Sequence, residues 1–304
     1  MDVFVFLKET VPKMDKLKVG LSSPAFIAAG AAIIAFAAIA CYFKLRPSAD
    51  LLPPDYASIL FRAVDPVEYS SEEELFFRLC DHPLLIDGGM MSLGLDYSSG
   101  AKCFMISARA LSIIWGDHDI YWQWIAHPES RFSECAELIE VCWLAISKTI
   151  DSNVLTAHTA YAAYLVFKLA PNAHGLSNPL QTAKITVAGD TVSEHFVCLD
   201  VREGEPPYPW WAYDTEEIDD VILPSERQDG WWEVQLGEFY SGDGIDGEVG
   251  MSFAEIRGGH WKSGLIVEGI EVRPKNNSGR KHNIIIDCDR LIVICKDYCR
   301  RLIV

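Results

Sequence analysis

From Lys102 onward, apolar and polar residues alternate in short runs broken by Gly, Pro and Asp, and a two-residue period suits pleated strands far better than helices. Trp232, Val234 and Leu236 share one face of GWWEVQLGE (230–238), and Val249, Met251 and Phe253 share one face of a later run. GLIVEGIEVRP (264–274) reads as a further strand, and CFMISA and LSIIW are shorter β-prone runs. AYAAYLVFKLA (160–170) fits a helix by period and a buried strand by its Tyr, Val and Phe, so both remain open. The stretch 242–247 spaces Gly and Asp without the closing Glu of a calcium loop and reads as a hairpin turn. The expected fold is mainly β, an antiparallel, jelly-roll-like β-sandwich.

Upstream the character differs. SSEEELFFRLC (70–80) has an N-capping serine, acids in the first turn and apolar residues at Leu75, Phe76, Leu79 and Cys80, which predicts a short amphipathic helix. Pro83 and Gly88-Gly89 then break the chain, so residues 51–101 read as a short connector. Further upstream, AFIAAGAAIIAFAAIACYF (25–43) carries no charge, and nineteen residues at about 1.5 Å each roughly match a bilayer core of about 30 Å. Lys13, Lys16 and Lys18 precede it, and Lys44 and Arg46 follow, so charge does not set an orientation. Three readings stay open for this apolar helix: a membrane anchor over 21–43, a cleaved signal ending near Ala38-Ile39-Ala40, or a helix with no membrane role.

A net charge of −17 repels a phosphate backbone and argues against sequence-independent nucleic-acid binding. Much of the acidity falls in 203–226, which reads as a solvated loop. The nine cysteines are odd in number and form no CxxC pair, which points to reduced thiols in the cytoplasm or nucleus; Cys142 and Cys198 lie in apolar runs and read as core. The eight histidines are scattered without an HExxH pair, and no GxSxG or Walker loop occurs. Asp117-His118-Asp119 reads as a polar turn. No enzyme activity, cofactor or metal is expected.

Three tryptophans, Trp115, Trp122 and Trp124, fall within ten residues. An indole offers a flat apolar face and a polar N–H, a match for the C–H face and hydroxyl rim of a sugar. The same residues also suit a core, since Trp115 follows an apolar run and Trp122 and Trp124 alternate onto one face. Trp143, Trp231, Trp232 and Trp261 lie in strand-like runs and read as core. Trp210-Trp211, in the loop 203–224, reads as a second aromatic patch.

Six blocks in order carry a resemblance: RALSIIWGDHDIYWQW (109–124), PESRFSECAELIEVCWL (128–144), AYAAYLVFKLA (160–170), RQDGWWEVQLGEF (227–239), DGEVGMS (246–252) and GGHWKSGLIVEGIEVRPK (258–275). Together they resemble the phloem protein 2, or Nictaba-like, plant lectin family. The resemblance implies a lectin domain over 102–275 that binds N-acetylglucosamine oligomers or N-glycans through exposed Trp115 and Trp122. Asp117, Asp119 and Gln123 are then the nearest polar candidates for the sugar hydroxyls and acetamide.

LPPDYASIL (52–60), the 70–80 helix and PLLIDGG (83–89) look like the connector that follows the F-box in plant F-box proteins of the phloem-protein-2 type. Those relatives imply an alternative role, recruiting glycoproteins to a ubiquitin ligase through a Skp-type subunit. Residues 1–50 depart from that pattern, lacking the Leu-Pro start and spaced Leu/Ile/Trp of an F-box. A third reading is a protein-interaction module whose sugar site has decayed. The loop 203–224 is longer than the family pattern, and the 276–304 tail, with its sequon at Asn276, extends past it. The partners implied are glycans or glycoproteins. The lectin domain is expected in the cytoplasm or nucleus, tethered to a membrane if 21–43 serves as an anchor.

Overall fold

A computed structural model describes residues 52–200, 221–242, 247–257 and 259–275. The apolar segment 21–43, the Trp210-Trp211 patch and the 276–304 tail lie outside the described residues. Two short helices open the described chain, α1 (Tyr56–Phe61) and α2 (Glu72–Asp81). The second begins where its sequence signal places it. Ser71 Oγ accepts the Glu74 N–H at 3.1 Å, and the Glu74 carboxylate reaches back to the Ser70 N–H at 2.9 Å, so two otherwise orphaned donors are satisfied. Its apolar stripe, Leu75, Phe76 and Leu79, buries against Leu95.

Fourteen strands follow in chain order: β1 (Leu84–Ile86), β2 (Met91–Leu95), β3 (Lys102–Ser107), β4 (Ser112–Ile113), β5 (Trp122–Ile125), β6 (Cys135–Leu138) and β7 (Leu144–Asp151), then β8 (Thr159–His174), β9 (Gln181–Val187), β10 (Asp190–Val197), β11 (Ser225–Glu226), β12 (Trp232–Ser241), β13 (Glu248–Glu255) and β14 (Ser263–Pro274). The larger sheet runs β1-β2-β3-β14-β8-β12-β11, with β6 pairing β14 and β5 pairing β6; the smaller runs β10-β9-β13-β7-β4. Every ladder between these strands is antiparallel, and the two sheets form a β-sandwich. Phe104, Leu165 and Phe167 of the larger sheet share one core with Ile146, Ile185 and Phe253 of the smaller.

The tertiary structure settles the ambiguous segment 160–170 as strand. β8 lies between β14 and β12, with Leu165 in the inter-sheet core and Val166 in a second cluster with Met105, Phe132, Cys135 and Trp231. Burial on both faces is what made its sequence read as continuously apolar. The hairpin reading of 242–247 falls mostly on residues 243–246, outside the described residues; the flanking strands β12 and β13 belong to different sheets and do not pair with each other. The connector is not only helical either. Its strands β1 and β2 extend the larger sheet, with Leu93 opposite Phe104.

Two local devices fix the packing, one within the larger sheet and one between the sheets. Tyr161 Oη, fully buried, donates to Lys102 O and accepts the Thr156 N–H, both at 3.1 Å, while Lys102 Nζ meets the Asp55 carboxylate at 3.1 Å just before α1. Gly237 has φ 146° beside a bulge in β12, and a Cβ there would lie 2.6 Å from Ile185 Cγ1 and Ser193 Oγ of the facing sheet. Only glycine tolerates that backbone and that approach.

Candidate functional site

The segment between β4 and β5 carries the sequence-predicted residues, and a tight turn organises it. The Gly116 N–H donates to Ile113 O at 3.0 Å, and Trp115 at the third position of this turn has φ 58°. That left-handed conformation costs a bulky residue about 1–3 kcal/mol and persists only when the surroundings enforce it. The enforcing groups are two indoles. Trp122 Nε1 donates to Ile114 O at 3.1 Å, and Trp124 Nε1 donates to Gly116 O at 3.2 Å. Trp124 is in turn covered by the Arg109 guanidinium, 3.7 Å from its ring centre.

This geometry corrects the expectation of an exposed Trp122. Its side chain is 1% exposed, packed in the inter-sheet core, and offers no face to a ligand. Alternation along β5 puts Trp122 and Trp124 on one face and Gln123 on the other, where Gln123 Nε2 donates to the Glu137 carboxylate at 2.6 Å. Gln123 is therefore not brought onto the face that carries the turn. Asp117 and Asp119 are exposed on the turn beyond Trp115, and their carboxylates make no hydrogen bond or ion pair with the described residues.

Trp115 itself is partly buried, with Tyr121 at 5.1 Å and Trp143 at 6.4 Å, the latter inclined by only 14°. Trp143 is 50% exposed and presents the open ring of this cluster. The reading of Trp143 as core is thus overturned. So is that of Trp261, 52% exposed, and of Trp232 at the outer end of β12; Trp231 is core. The signal for Trp143 was available in the sequence: Leu144 and Ile146 point inward on β7, so Trp143 belongs in phase with Ala145, Ser147 and Thr149 on the outer face.

A buried lysine fixes the ground beneath Trp143. Lys262 is fully buried, pairs with Glu255, and donates to Cys142 O at 3.0 Å and His260 O at 2.7 Å. Paired backbone bonds between Val141 and Lys262, at 2.8 and 3.0 Å, lock the two segments side by side. Trp143 and Trp261 therefore rise from neighbouring, cross-braced segments. A buried ammonium is tolerated only with such partners. Cys142, whose carbonyl joins this brace, is half-buried rather than core, whereas Cys198 is buried.

A second concentration of charge lies where β8, β12 and β14 meet, and it is internally paired. Glu233 and Glu271 both contact Arg227 and Arg273, and Arg273 also covers Tyr164 with its guanidinium 3.8 Å from the ring centre. Burial works against the charge of Glu233, but hydrogen bonds and charge from Arg273 and Arg227 outweigh it and hold its carboxyl below the usual range. Asp229 is held low in the same way, chiefly by Arg227 against burial. Glu268 goes the other way: burial raises its carboxyl, although the Arg131 N–H and Ser130 hydroxyl both donate to it. This network ties strands and loops together and leaves little open for a ligand. Among the described residues, no three His, Cys, Asp or Glu side chains converge as a metal site requires.

Comparison with known proteins bears on this arrangement. The family model described as Phloem protein 2 matches residues 101–274. F-box protein PP2-B10 of Arabidopsis thaliana is 40% identical over 228 residues, covering 73% of this chain and 78% of its own length. F-box protein PP2-B15 of the same plant is 35% identical over 261 residues, covering 80% and 90%. Among solved structures, a family 35 carbohydrate binding module from Clostridium thermocellum aligns with 56% of this chain and 96% of its own at 15% identity, with a TM-score of 0.29, too distant a likeness to argue from. The relatives' names support lectin-like or F-box-type roles in general. With the family match running through the strands that frame the Trp115 turn, this chain belongs to the phloem protein 2 family.

Proposed function

We propose that the protein is a non-enzymatic carbohydrate-binding protein that takes N-acetylglucosamine oligomers or N-glycans on the Trp143 ring. The observation that carries this reading is the near-parallel stack of half-exposed Trp143 on Trp115, the latter held in a strained backbone conformation by the indole N–H groups of buried Trp122 and partly buried Trp124. Strain maintained at this expense beside an open aromatic ring is the pattern of a preorganised binding platform. Trp143 is the stacking surface and Trp115 its support. Asp117 and Asp119 are free to accept hydrogen bonds from sugar hydroxyls. Each sugar contributes little by itself, so oligomers bind better than single sugars.

The test is a glycan array with the full chain and its Trp143→Ala variant. Selective retention of chito-oligosaccharides or N-glycans, lost in the variant at an unchanged melting temperature, supports the reading. No retention by well-folded protein ends it. A second reading, an adaptor of the F-box type, is favoured by the relatives' names and by Phe61, 92% exposed at the end of α1. Co-purification of a Skp-type subunit, lost on Phe61→Ser, would support that role.

A further inference from the structure

Beyond Trp143, the outer face of β7 leads to a second feature. A hollow of about 500 Å³ opens where the chain before β4 leaves β7, and it is lined by Arg109, Ser112, Ser147, Lys148 and Thr149 with the backbone of Ala110 and Leu111. Its chemistry is unlike the acidic remainder of the molecule. Lys148 Nζ donates one hydrogen bond, to Ala110 O at 2.9 Å, and among the described residues meets no carboxylate within 4.0 Å, which leaves two of its N–H donors available there. Arg109 is held flat by Trp124 and paired on one side with Glu134 at 2.8 Å. The hydroxyls of Ser112, Ser147 and Thr149 have no hydrogen-bond partner among the described residues. Ser112 and Ser147 are direct partners across the β4–β7 ladder.

We propose that this hollow is an anionic-sugar subsite, continuous with the Trp143 platform, which takes the carboxylate or sulfate of an acidic saccharide. The inference rests on the glycan-binding reading of Trp143 and gives that site a direction. Trp143, Ala145, Ser147 and Thr149 lie in phase along one face, and Thr149, at the hollow, is six residues from Trp143, about 20 Å at roughly 3.3 Å per residue; Lys148 alternates to the other face and brings its ammonium to the β4 edge at Ala110 O. The side chains between are Ala145 and Ser147, small enough for a chain of sugars to lie flat. The two ends differ in charge. Free carboxylates at Asp117 and Asp119 repel an anion at the Trp143 end, while Lys148 attracts one at the other. The ammonium and neighbouring hydroxyls donate to an anionic oxygen, and charge-assisted bonds of this kind are stronger than those to a neutral hydroxyl.

The experiment measures binding of three probes to the full chain by calorimetry. They are a neutral N-acetylglucosamine oligomer, an oligomer of alternating N-acetylglucosamine and glucuronate, and a sulfated N-acetylglucosamine oligomer of equal length. Expected is about tenfold tighter binding of at least one acidic probe at low salt, the size of one charge-assisted hydrogen bond, shrinking as salt rises. Lys148→Gln removes that advantage and leaves neutral binding unchanged. Thr149→Val, at an exposed position, reduces it without touching the Lys148 contact, which keeps the test valid if the first variant folds poorly. Which acidic probe gains distinguishes uronate from sulfate. Neutral binding without any acidic advantage overturns the subsite and leaves the Trp143 platform standing. Acidic binding that needs Lys148 while Trp143→Ala changes nothing upholds the hollow and overturns the platform. No binding of any probe overturns both.

Discussion

Replacing Trp122 by alanine separates a buried clamp from a ligand-stacking ring. The side chain is 1% exposed, so truncation opens a cavity in the inter-sheet core, which for Trp costs about 3–5 kcal/mol. It also deletes the 3.1 Å bond from Nε1 to Ile114 O, a further loss of about 0.5–1.5 kcal/mol. The sum, about 4–6 kcal/mol, is a large part of the 5–15 kcal/mol that typically holds a domain folded. At roughly 2–4 °C per kcal/mol for a domain of this size, melting falls by roughly 10–20 °C. Trp122→Phe keeps most of the apolar ring and loses the N–H, so it costs about 1–2 kcal/mol. It also loosens the Trp115 turn and weakens glycan retention with no ligand contact of its own. Urea unfolding followed by circular dichroism reads both changes. A Trp122→Ala loss below about 1 kcal/mol would falsify the core assignment, because no cavity of that size closes so cheaply.

Other outcomes follow from charge, backbone and thiol chemistry. Glu233 and Asp229 have folded pKa values below their ordinary 4.5 and 3.8, so they contribute stability above those values that is lost as pH falls through the depressed ones; Arg227→Met, which removes a cation paired with both, should flatten this acid limb in urea melts. Glu268 has the opposite sign: its contribution is present below the ordinary 4.5 and lost as pH rises through the raised folded value, so Glu268→Gln should flatten the decline on that side. Gly237→Ala combines φ 146° with a Cβ 2.6 Å from Ile185 and Ser193, so a loss above about 2 kcal/mol is expected, and a neutral result would mean the sheets do not approach there. Burial pushes the Cys80 thiol up to about 12 and Cys198 to about 11; thiol labelling at pH 8 with peptide mapping should find both slow in native protein and fast in urea.

Local patterns carried much of this protein in the sequence alone. The capped helix at Glu72–Asp81 was legible because its signal is contained within one turn of chain, and the strands Trp232–Ser241 and Glu248–Glu255 because one face of each is buried. The run 160–170 stayed ambiguous because a strand covered on both faces loses its two-residue period, and only its place between β14 and β12 decided it. The link after β12 looked like a hairpin because turn residues mark a reversal without saying which sheet the chain joins next. The site divided in the same way. The density of tryptophan in 109–124 marked the region, but hydrogen bonding and burial assigned the roles, turning Trp122 and Trp124 inward as clamps and leaving the open face to Trp143, nineteen residues beyond Trp124. Sequence spacing records which face of its own strand a side chain occupies; whether that face is covered depends on strands distant in the chain, and tertiary packing alone settles it.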